Sequence, residues 1–239
     1  MEFGTQVHAF LQEYLAHRDQ EGFSIDELAA RYRQEILWLD FDETDLASYA
    51  RRFDRIVDAF VPYLNEYAYG RMLSEYELKT LLDDVPLYGK ADLILVDDES
   101  KTIEVVDFKT GMKHDSDEGS PGYERQLQFY KLLVESKPEF DGYKVVKCSD
   151  VFVEPERDTD AIHEPVVSKV ADMDQEHLKL LIKAVWRRII EGDFDTSDFE
   201  GSDEYQAALA QNVTKNGTPR KNKDKKLFQQ AYEQWLIAH

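Results

Sequence analysis

The sequence is short of cysteine: Cys148 is the only one among 239 residues. A single cysteine excludes a disulfide framework, a cysteine-rich zinc site and a four-cysteine iron–sulfur cluster. The sequence also has no apolar run approaching the roughly 18 residues that span a bilayer. Its first residues lack a basic region followed by an apolar stretch, the pattern of a signal peptide. We therefore expect a soluble, cytoplasmic protein with no membrane partner and no iron–sulfur cluster.

Positive charge is scarce as well, with 29 Lys and Arg against 49 Asp and Glu, which gives a formal net charge of −20. Proteins that coat nucleic acids neutralise phosphates with Lys and Arg, so this balance argues against a general DNA-coating protein. It argues less against a nuclease, whose carboxylates hold cations. Residues 215–226 depart from the trend, with six basic residues and one acid. This stretch is either a solvated loop or an arm that follows a phosphate backbone.

Several common active-site patterns are missing. The sequence contains no P-loop, no Rossmann glycine fingerprint and no nucleophile elbow, and it has no helicase motif, internal repeat or low-complexity tract. What it does contain is 42% hydrophobic and 12% aromatic residues, which is enough for a buried core. The length allows one large domain or a core domain with a helical elaboration.

Helical periodicity dominates both ends of the chain. In the first third, Thr5 is a candidate N-cap, the Ser24–Glu27 capping box opens a second helix, and Pro62 should kink or end the third. The predicted helices cover residues 5–18, 24–36, 44–66, 123–136, 174–191, 203–211 and 225–236.

The middle of the chain changes to the β-rich pattern of strands. The predicted strands cover residues 73–81, 86–97, 102–110, 143–153 and 163–170, with a polar loop at 114–122. Short acidic turns separate the first three, which predicts a three-stranded antiparallel meander. The predicted fold class is therefore α/β (α+β), with a small central mixed sheet flanked by helices. We expect one compact domain overall, made of an N-terminal helical region at 1–72, a core at 73–192 and a C-terminal helical and basic extension at 193–239.

The second and third strands bring two acids together. If Glu99 and Ser100 form a two-residue turn, directly opposed residues have numbers that sum to 199, and Asp92 and Asp107 satisfy that sum. Their Cβ atoms would then lie roughly 4.5–5.5 Å apart. Like charges at this distance are destabilising, so the pair needs a cation or a shared proton. A shift of one residue would instead put the two carboxylates on opposite faces.

The third strand also carries a lysine beside these acids. Its odd positions up to Lys109 share one face, while Val106 and Phe108 point to the other. Apolar residues on both faces predict a central, buried strand, where an Asp and a Lys are costly unless they pair or meet a metal. Two interpretations are open at this point: a structural Asp107–Lys109 ion pair, or a site where Asp92 and Asp107 bind Mg²⁺ or Mn²⁺. In the second, Lys109 would orient or deprotonate the attacking water and stabilise the transition state.

Five further side chains are candidates from their positions alone. His8 lies at the edge of the apolar stripe of the first helix, where a histidine is either a core residue or a ligand. Glu75 and Glu77 share a strand face and are either metal-binding groups or the solvated side of the strand. Gln126 and Tyr130 are spaced i, i+4 on the helix after the meander, so they share a face.

In their order along the chain these residues resemble the RecB-like branch of the PD-(D/E)xK nucleases. The matching motifs are Gly4-x-x-x-His8, Gly89-x-x-Asp92, Asp107-x-Lys109 and Gln126-x-x-x-Tyr130, on the expected helix, strand, strand and helix. They extend from His8 to Tyr130, over half of the chain. Each motif is weak alone, and the order of the four makes the resemblance specific.

The resemblance implies a restriction-endonuclease-like core and cleavage of DNA phosphodiesters with Mg²⁺ or Mn²⁺. Transferred position by position, the metal ligands are His8, Asp92, Asp107 and the Phe108 carbonyl, the catalytic residues are Lys109, Asp107 and Asp92, and the substrate-binding residues are Gln126 and Tyr130. The second acid is often Glu in this superfamily and is Asp here. Many relatives hold a cysteine-bound iron–sulfur cluster, which one cysteine cannot provide.

Domains of this type often form the C-terminal part of a helicase–nuclease that acts in recombination or repair. The resemblance therefore implies a Mg²⁺- or Mn²⁺-dependent deoxyribonuclease acting on single-stranded DNA or duplex ends, with a fused or associated helicase as a candidate partner. The alternative is a catalytically inactive DNA-binding or scaffolding module of the same fold, which the acidic composition favours and the intact set of candidate residues disfavours. An RNA- or nucleotide-directed hydrolase on the same scaffold is a further alternative. The sequence does not distinguish exonuclease from endonuclease action.

Overall fold

A computed structural model of the chain describes residues 2–111, 113, 121–168 and 175–239. The helices are α1 (Glu2–His17), α2 (Ile25–Leu37), α3 (Glu43–Arg55), α4 (Val61–Tyr67), α5 (Pro121–Glu135), α6 (Glu176–Glu191), α7 (Asp203–Gln211) and α8 (Lys225–Ala238). The strands are β1 (Arg71–Leu82), β2 (Val85–Asp97), β3 (Thr102–Lys109), β4 (Lys144–Phe152) and β5 (Val166–Ser168). Within these described residues, no helix is both long enough and apolar enough to cross a membrane.

Local sequence signals explain where the N-terminal helices begin. Ser24 caps α2 as predicted, since its hydroxyl accepts the Glu27 N–H at 3.3 Å. Asp42 caps α3 in the same way, accepting the Asp45 N–H at 2.9 Å. Such side chains satisfy N–H groups that the first helical turn leaves without partners. The predicted N-cap at Thr5 is wrong, because α1 begins at Glu2 and Thr5 lies inside it.

The helix predicted over 44–66 is helical throughout but not uniform. α3 passes into a π-helical turn at Ile56–Phe60 and then into α4, whose second residue is Pro62. Proline has no N–H to donate into the preceding turn, and its ring crowds the carbonyl four residues earlier. A wider π turn accommodates this without ending the helix. The irregularity predicted at Pro62 therefore lies in the turn directly before it.

The sheet has the strand order β1-β2-β3-β4-β5. β2 and β3 are antiparallel, β3 and β4 are parallel, and β4 and β5 are antiparallel, so the predicted mixed sheet flanked by helices is confirmed. β3 is central, and all of its residues except the two at its ends are buried. Parallel neighbours need a crossover connection, and α5 lies in the one between β3 and β4. Residues 169–170 of the predicted last strand, and most of the loop predicted at 114–122, lie outside the described residues.

The hairpin of β2 and β3 has the predicted register. The pairs from Leu93–Val106 to Asp97–Thr102 all have residue numbers that sum to 199. The turn contains four residues rather than the predicted two, because the last pair is Asp97–Thr102. Asp97 Oδ1 accepts the N–H groups of Glu99 and Ser100 at 2.9 and 3.0 Å, which closes the turn from within. The longer turn leaves the register unchanged, since one residue is added on each side.

The chain divides into two compact units, one formed by Met1–Thr80 and Pro86–Met173 and the other by Leu81–Val85 and Asp174–His239. In the first unit, helices α1 to α4 pack on the sheet face that carries residues such as Val106, while α5 lies against β3 and β4. The single compact domain and the boundaries expected after residues 72 and 192 stay predictions.

Two small apolar clusters hold the second unit together. Two of the six basic residues in 215–226 are paired inside this unit. Arg220 lies 3.1 Å from Asp224, and Lys223 lies 3.4 Å from Glu200. These pairs partly neutralise the stretch, which favours the solvated loop, and the phosphate-following arm stays a prediction.

Candidate metal and catalytic site

The site begins where β2 and β3 separate. The paired residues of the two strands end at Leu93–Val106, and the residue of β2 next to this pair is Asp92. Its Oδ2 accepts the Phe108 N–H at 2.7 Å, and its Oδ1 lies 3.2 Å from His8 Nδ1. Asp92 therefore joins the central strand to the first helix, with one oxygen on each.

A histidine and two acids converge here from three different elements. His8 on α1 lies 3.2 Å from Asp92 on β2 and 3.6 Å from Glu75 on β1. One ligand atom from each of the three lies within 4.8 Å of the others. Glu75 also pairs with Lys90 of β2. An imidazole nitrogen with carboxylate oxygens is a donor set that fits a divalent metal ion.

Asp107 and Lys109 share one face of β3, as predicted, and are tied into a second network. Lys109 Nζ lies 2.5 Å from Asp107 Oδ2 and 3.3 Å from Asp150 Oδ1. It also donates to Gln126 Oε1 at 2.8 Å. The Gln126 amide in turn donates to Asp107 Oδ1 at 2.7 Å and lies 3.2 Å from the Tyr130 hydroxyl. One side chain of α5 therefore holds both the acid and the lysine of β3.

All seven residues predicted for the site line one cleft of about 360 Å³. They are His8, Asp92, Asp107, Phe108, Lys109, Gln126 and Tyr130. At two of them the observed contacts do not involve a ligand role. Asp107 contacts Lys109 and Gln126, and Phe108 offers its N–H to Asp92, whereas its carbonyl was the predicted ligand. The role assigned to each residue stays a prediction.

A second cleft of about 640 Å³ adjoins the first and shares His8, Asp92 and Thr110 with it. It is also lined by two cationic side chains, Arg52 and Lys90. Both are already paired with acids, Arg52 with Glu154 and Lys90 with Glu75, so they give this cleft little net positive charge.

The structure separates two glutamates that the sequence left equivalent, and it adds an acid that the sequence did not reveal. Glu75 belongs to the donor set, whereas Glu77 is exposed and pairs with Lys79 at 2.7 Å. Asp150 lies on β4, beside Lys109. The only signal for it was an acid within an otherwise apolar segment ending the strand, which is weak by itself.

The two motif glycines are explained by space and not by backbone conformation. A Cβ at Gly4 would lie 2.7 Å from Thr110 Oγ1, and a Cβ at Gly89 would lie 2.6 Å from Leu133 Cδ1. Both distances are too short for a real contact, so a side chain at either position would require Thr110 or Leu133 to shift. Each approach carries a site residue: His8 follows Gly4 on α1, and Gln126 lies on α5.

Gly89→Ala is expected to lower the free energy of unfolding by about 1–2 kcal/mol, because an added methyl group must displace the buried Leu133. Urea unfolding followed by circular dichroism measures this loss. Gly201→Ala is the matched control, since a Cβ at Gly201 meets nothing within 4 Å, and its effect should stay within about 0.5 kcal/mol. Equal effects at the two positions would contradict the close-approach explanation.

Neighbouring carboxylates control the protonation of His8. Burial disfavours its charged ring, but hydrogen bonds and charges from Asp92 and Glu75 outweigh burial and raise the pKa of His8 to about 10. The same contact with His8 is the main reason that the pKa of Glu75 is lowered. At neutral pH and without a metal, a protonated imidazole therefore lies between the two acids.

The pKa values of the two ionisable residues on this face of β3, Asp107 and Lys109, are both raised as well. Burial and the charge of Asp92 raise the pKa of Asp107 to about 6, against the opposing effect of Lys109. Burial of the Lys109 ammonium is outweighed by Asp107 and Asp150, so the pKa of Lys109 rises above its usual value. The buried carboxylates of the site repel one another, as the raised pKa of Asp107 indicates. A bound cation would reduce this repulsion.

The sequence matches the family model described as PD-(D/E)XK nuclease superfamily over residues 1–204. No curated protein matches the chain. Among solved structures, one described as "Putative exonuclease" from Eubacterium rectale is 17% identical with a TM-score of 0.48, covering 81% of this chain and 68% of that chain. The structure of SSO0001 is 19% identical with a TM-score of 0.35, covering 81% of this chain and 86% of that chain.

Proposed function

Because the chain belongs to the PD-(D/E)XK nuclease superfamily, whose members use divalent metals, we propose that it hydrolyses DNA phosphodiester bonds with Mg²⁺ or Mn²⁺. One observation carries the proposal: the Asp107–Lys109 pair lines the same cleft as His8 and Asp92, two members of the cation-binding donor set. A divalent cation held there would supply positive charge at the scissile phosphate and lower the pKa of water.

In this proposal the residues of the cleft divide into ligands and reacting groups. His8, Asp92 and Asp107 hold the cation with the Phe108 carbonyl, and Glu75 joins them because it shares the cluster with His8. Both oxygens of Asp107 already accept hydrogen bonds, but each carboxylate oxygen has a second lone pair left for a cation.

Lys109 is the proposed catalytic lysine. Its ammonium is fixed by Asp107 and Gln126, so it reaches the cleft with little freedom to move. From there it would orient the attacking water and stabilise charge on the phosphate in the transition state. Gln126 and Tyr130 line the same cleft and are proposed to contact DNA while keeping Asp107 and Lys109 in place.

Cleavage of end-labelled DNA, single-stranded and duplex, tests this function directly. The purified chain should cleave with Mn²⁺ or Mg²⁺, stop when the metal is chelated, and lose activity in Asp107→Ala. The lengths of the products distinguish removal of terminal nucleotides from internal cutting. Activity that survives in both Asp107→Ala and Lys109→Ala would overturn the site assignment.

The net charge of −20 supports a second candidate, an inactive DNA-binding or scaffolding module of the same fold. Titration of the metal-free chain with Mn²⁺ by calorimetry separates the two. A nuclease should take up Mn²⁺ in a way that depends on Asp92, whereas an inactive module should show no uptake that depends on these carboxylates. Substrate profiling with RNA and nucleotides covers the hydrolases that act on other phosphodiesters.

The proposed cellular context is DNA recombination or repair in the cytoplasm, with the chain as a RecB-like nuclease fused to or associated with a helicase. Support comes from the order of the four motifs and from their meeting in one cleft. The neighbouring coding sequence tests this context, because helicase motifs directly upstream are expected. Neighbouring genes unrelated to DNA metabolism would count against it without affecting the proposed chemistry.

Glu75→Gln is expected to weaken Mn²⁺ binding by about 10- to 100-fold, the usual cost of losing a group that ligates or orients a ligand. The reason is its 3.6 Å distance to His8 and its place in the donor set. Glu77→Gln, two residues away on the same strand, should leave the dissociation constant unchanged, since Glu77 is exposed. Calorimetric titration of both variants measures the difference. Equal affinities in the two variants would remove Glu75 from the site.

A further inference from the structure

Asp150 is a buried acid whose position is set by the sheet. β3 and β4 are parallel neighbours, and their register places Asp150 beside Asp107. The side chain of Asp150 is only 3% exposed, on a strand whose neighbouring residues Val151 and Phe152 belong to the apolar core. A carboxylate in such surroundings is costly unless a positive charge compensates it. Lys109 Nζ, 3.3 Å from Asp150 Oδ1, supplies that charge.

Lys109 therefore lies between two acids with different surroundings. Asp107 is the closer, at 2.5 Å, and it also feels the charge of Asp92 across the cleft. A cation bound at Asp107 would withdraw negative charge from Lys109. The Lys109 side chain is only 13% exposed, so solvent cannot make up the loss. Asp150, unlike Asp107, does not line the cleft, so it keeps its charge for the ammonium.

We propose that Asp150 is a positioning residue that holds the Lys109 ammonium in place when the carboxylate of Asp107 is engaged by a cation. The inference rests on the proposed nuclease function, because it assigns Asp150 a part in orienting the catalytic lysine of that reaction. Gln126 holds Lys109 through a neutral oxygen at 2.8 Å, and the ring of Tyr123 lies 4.0 Å from the ammonium. Asp150 adds the negative charge that these two neutral groups lack.

Asp150→Asn tests the role, because it keeps the shape of the side chain and removes the charge. We expect kcat for DNA cleavage to fall about 10- to 100-fold, with KM and Mn²⁺ affinity within twofold of the unaltered chain. In a Lys109→Met background the same change should cause no further loss, since there is no ammonium left to position. An equal fold loss in both backgrounds, or an unchanged kcat in Asp150→Asn, would overturn the proposal.

Glu104→Gln is the matched control for losing a buried ion pair. Glu104 is a buried acid on β3 that lies 2.8 Å from Lys147 Nζ, and it lines neither cleft. This variant should lower the Tm and leave kcat within twofold. A comparable loss of kcat in Glu104→Gln would show that any buried acid on these strands supports activity through stability, which would overturn a specific role for Asp150.

A double-mutant cycle on thermal stability tests the Lys109–Asp150 contact without measuring activity. It is carried out with a chelator present, so that no metal is bound. The Tm losses of Lys109→Met and Asp150→Asn should not be additive in the double variant, because the two groups interact; additive losses would refute the pairing.

If the unaltered chain cleaves DNA while Asp150→Asn cleaves equally fast, only the positioning role fails. If the unaltered chain does not cleave, the proposed function fails and the positioning role fails with it. Asp150→Ser provides a second variant if Asp150→Asn does not fold.

Discussion

Lys109→Met should reduce kcat for DNA cleavage by about 100- to 1,000-fold. The ammonium that it removes lies in the cleft, 2.5 Å from Asp107 and 2.8 Å from Gln126, in a position where water cannot take over its charge. A preorganised donor at a developing charge contributes about 10²–10³ in rate, and this is the part proposed for the Lys109 ammonium. Initial rates on end-labelled DNA at saturating Mn²⁺ measure the effect, and methionine keeps the unbranched stem of the lysine.

Lys90→Met is the matched control for this change. Lys90 also pairs with an acid of the site, Glu75, but its side chain is 48% exposed. Solvent therefore screens its charge, and the pair contributes little. Its loss should cost less than about tenfold in kcat. Both variants must take up Mn²⁺ and unfold near the temperature of the unaltered chain for the comparison to count. A folded, metal-binding Lys109→Met protein with more than a tenth of the original kcat would exclude Lys109 as the catalytic lysine.

The hairpin at the centre of the site could be predicted because local constraints determine it. Alternating side chains define the two faces of β3, and the acidic turn before it sets the register. The sequence therefore predicts Asp107 and Lys109 on one face with Asp92 opposite Asp107, and the observed pairs end one residue before that point, at Leu93–Val106. The turn length was wrong by one residue on each side, an error that leaves the register intact. Periodicity alone could not decide between an ion pair and a metal site.

The members of the cleft on α1 and α5 could not be predicted from their own surroundings. His8 and Gln126 look like many residues at the edge of an apolar helical stripe, and only the family order of the motifs assigned them to the site. The glycine of each of two motifs lets one of these helices approach the sheet, at Thr110 and at Leu133.

Glu75 and Asp150 depend on features that have no local signature. Glu75 has a φ of 49°, a left-handed conformation that a glutamate rarely adopts, and nothing in the alternation of β1 announces it. Asp150 meets Lys109 only because α5 returns the chain to a parallel position beside β3, with a register shift between Ile103 and Glu104. The register of two parallel strands depends on how the long crossover between them packs. A short stretch of sequence around Asp150 carries no information about that packing.

Mn²⁺ uptake by the metal-free chain at pH 7.5 should release about one proton. Asp92 and Glu75 outweigh burial and raise the pKa of His8 from 6.5 to about 10, so the folded ring is protonated at this pH. The ring must lose that proton before its nitrogen can bind a cation. The apparent affinity should therefore rise by about tenfold for each pH unit between 6.5 and 8. Calorimetry in buffers of different ionisation enthalpy counts the released protons.

His8→Gln is the control for this linkage. The variant should bind Mn²⁺ more weakly and release no proton at pH 7.5. Its Mn²⁺ affinity should depend little on pH above about 6, the raised pKa of Asp107.

The stability of the metal-free proteins gives an independent check of the direction of the His8 shift. Since the folded pKa of His8 lies above its unfolded value, the stabilisation from the protonated ring is complete below pH 6.5 and is lost as the pH rises towards 10. The stability gap between the unaltered chain and His8→Gln should narrow over that range. Equal Mn²⁺ affinities in the two proteins, with no proton released by either, would remove His8 from the ligand set and leave the acids to hold the cation alone.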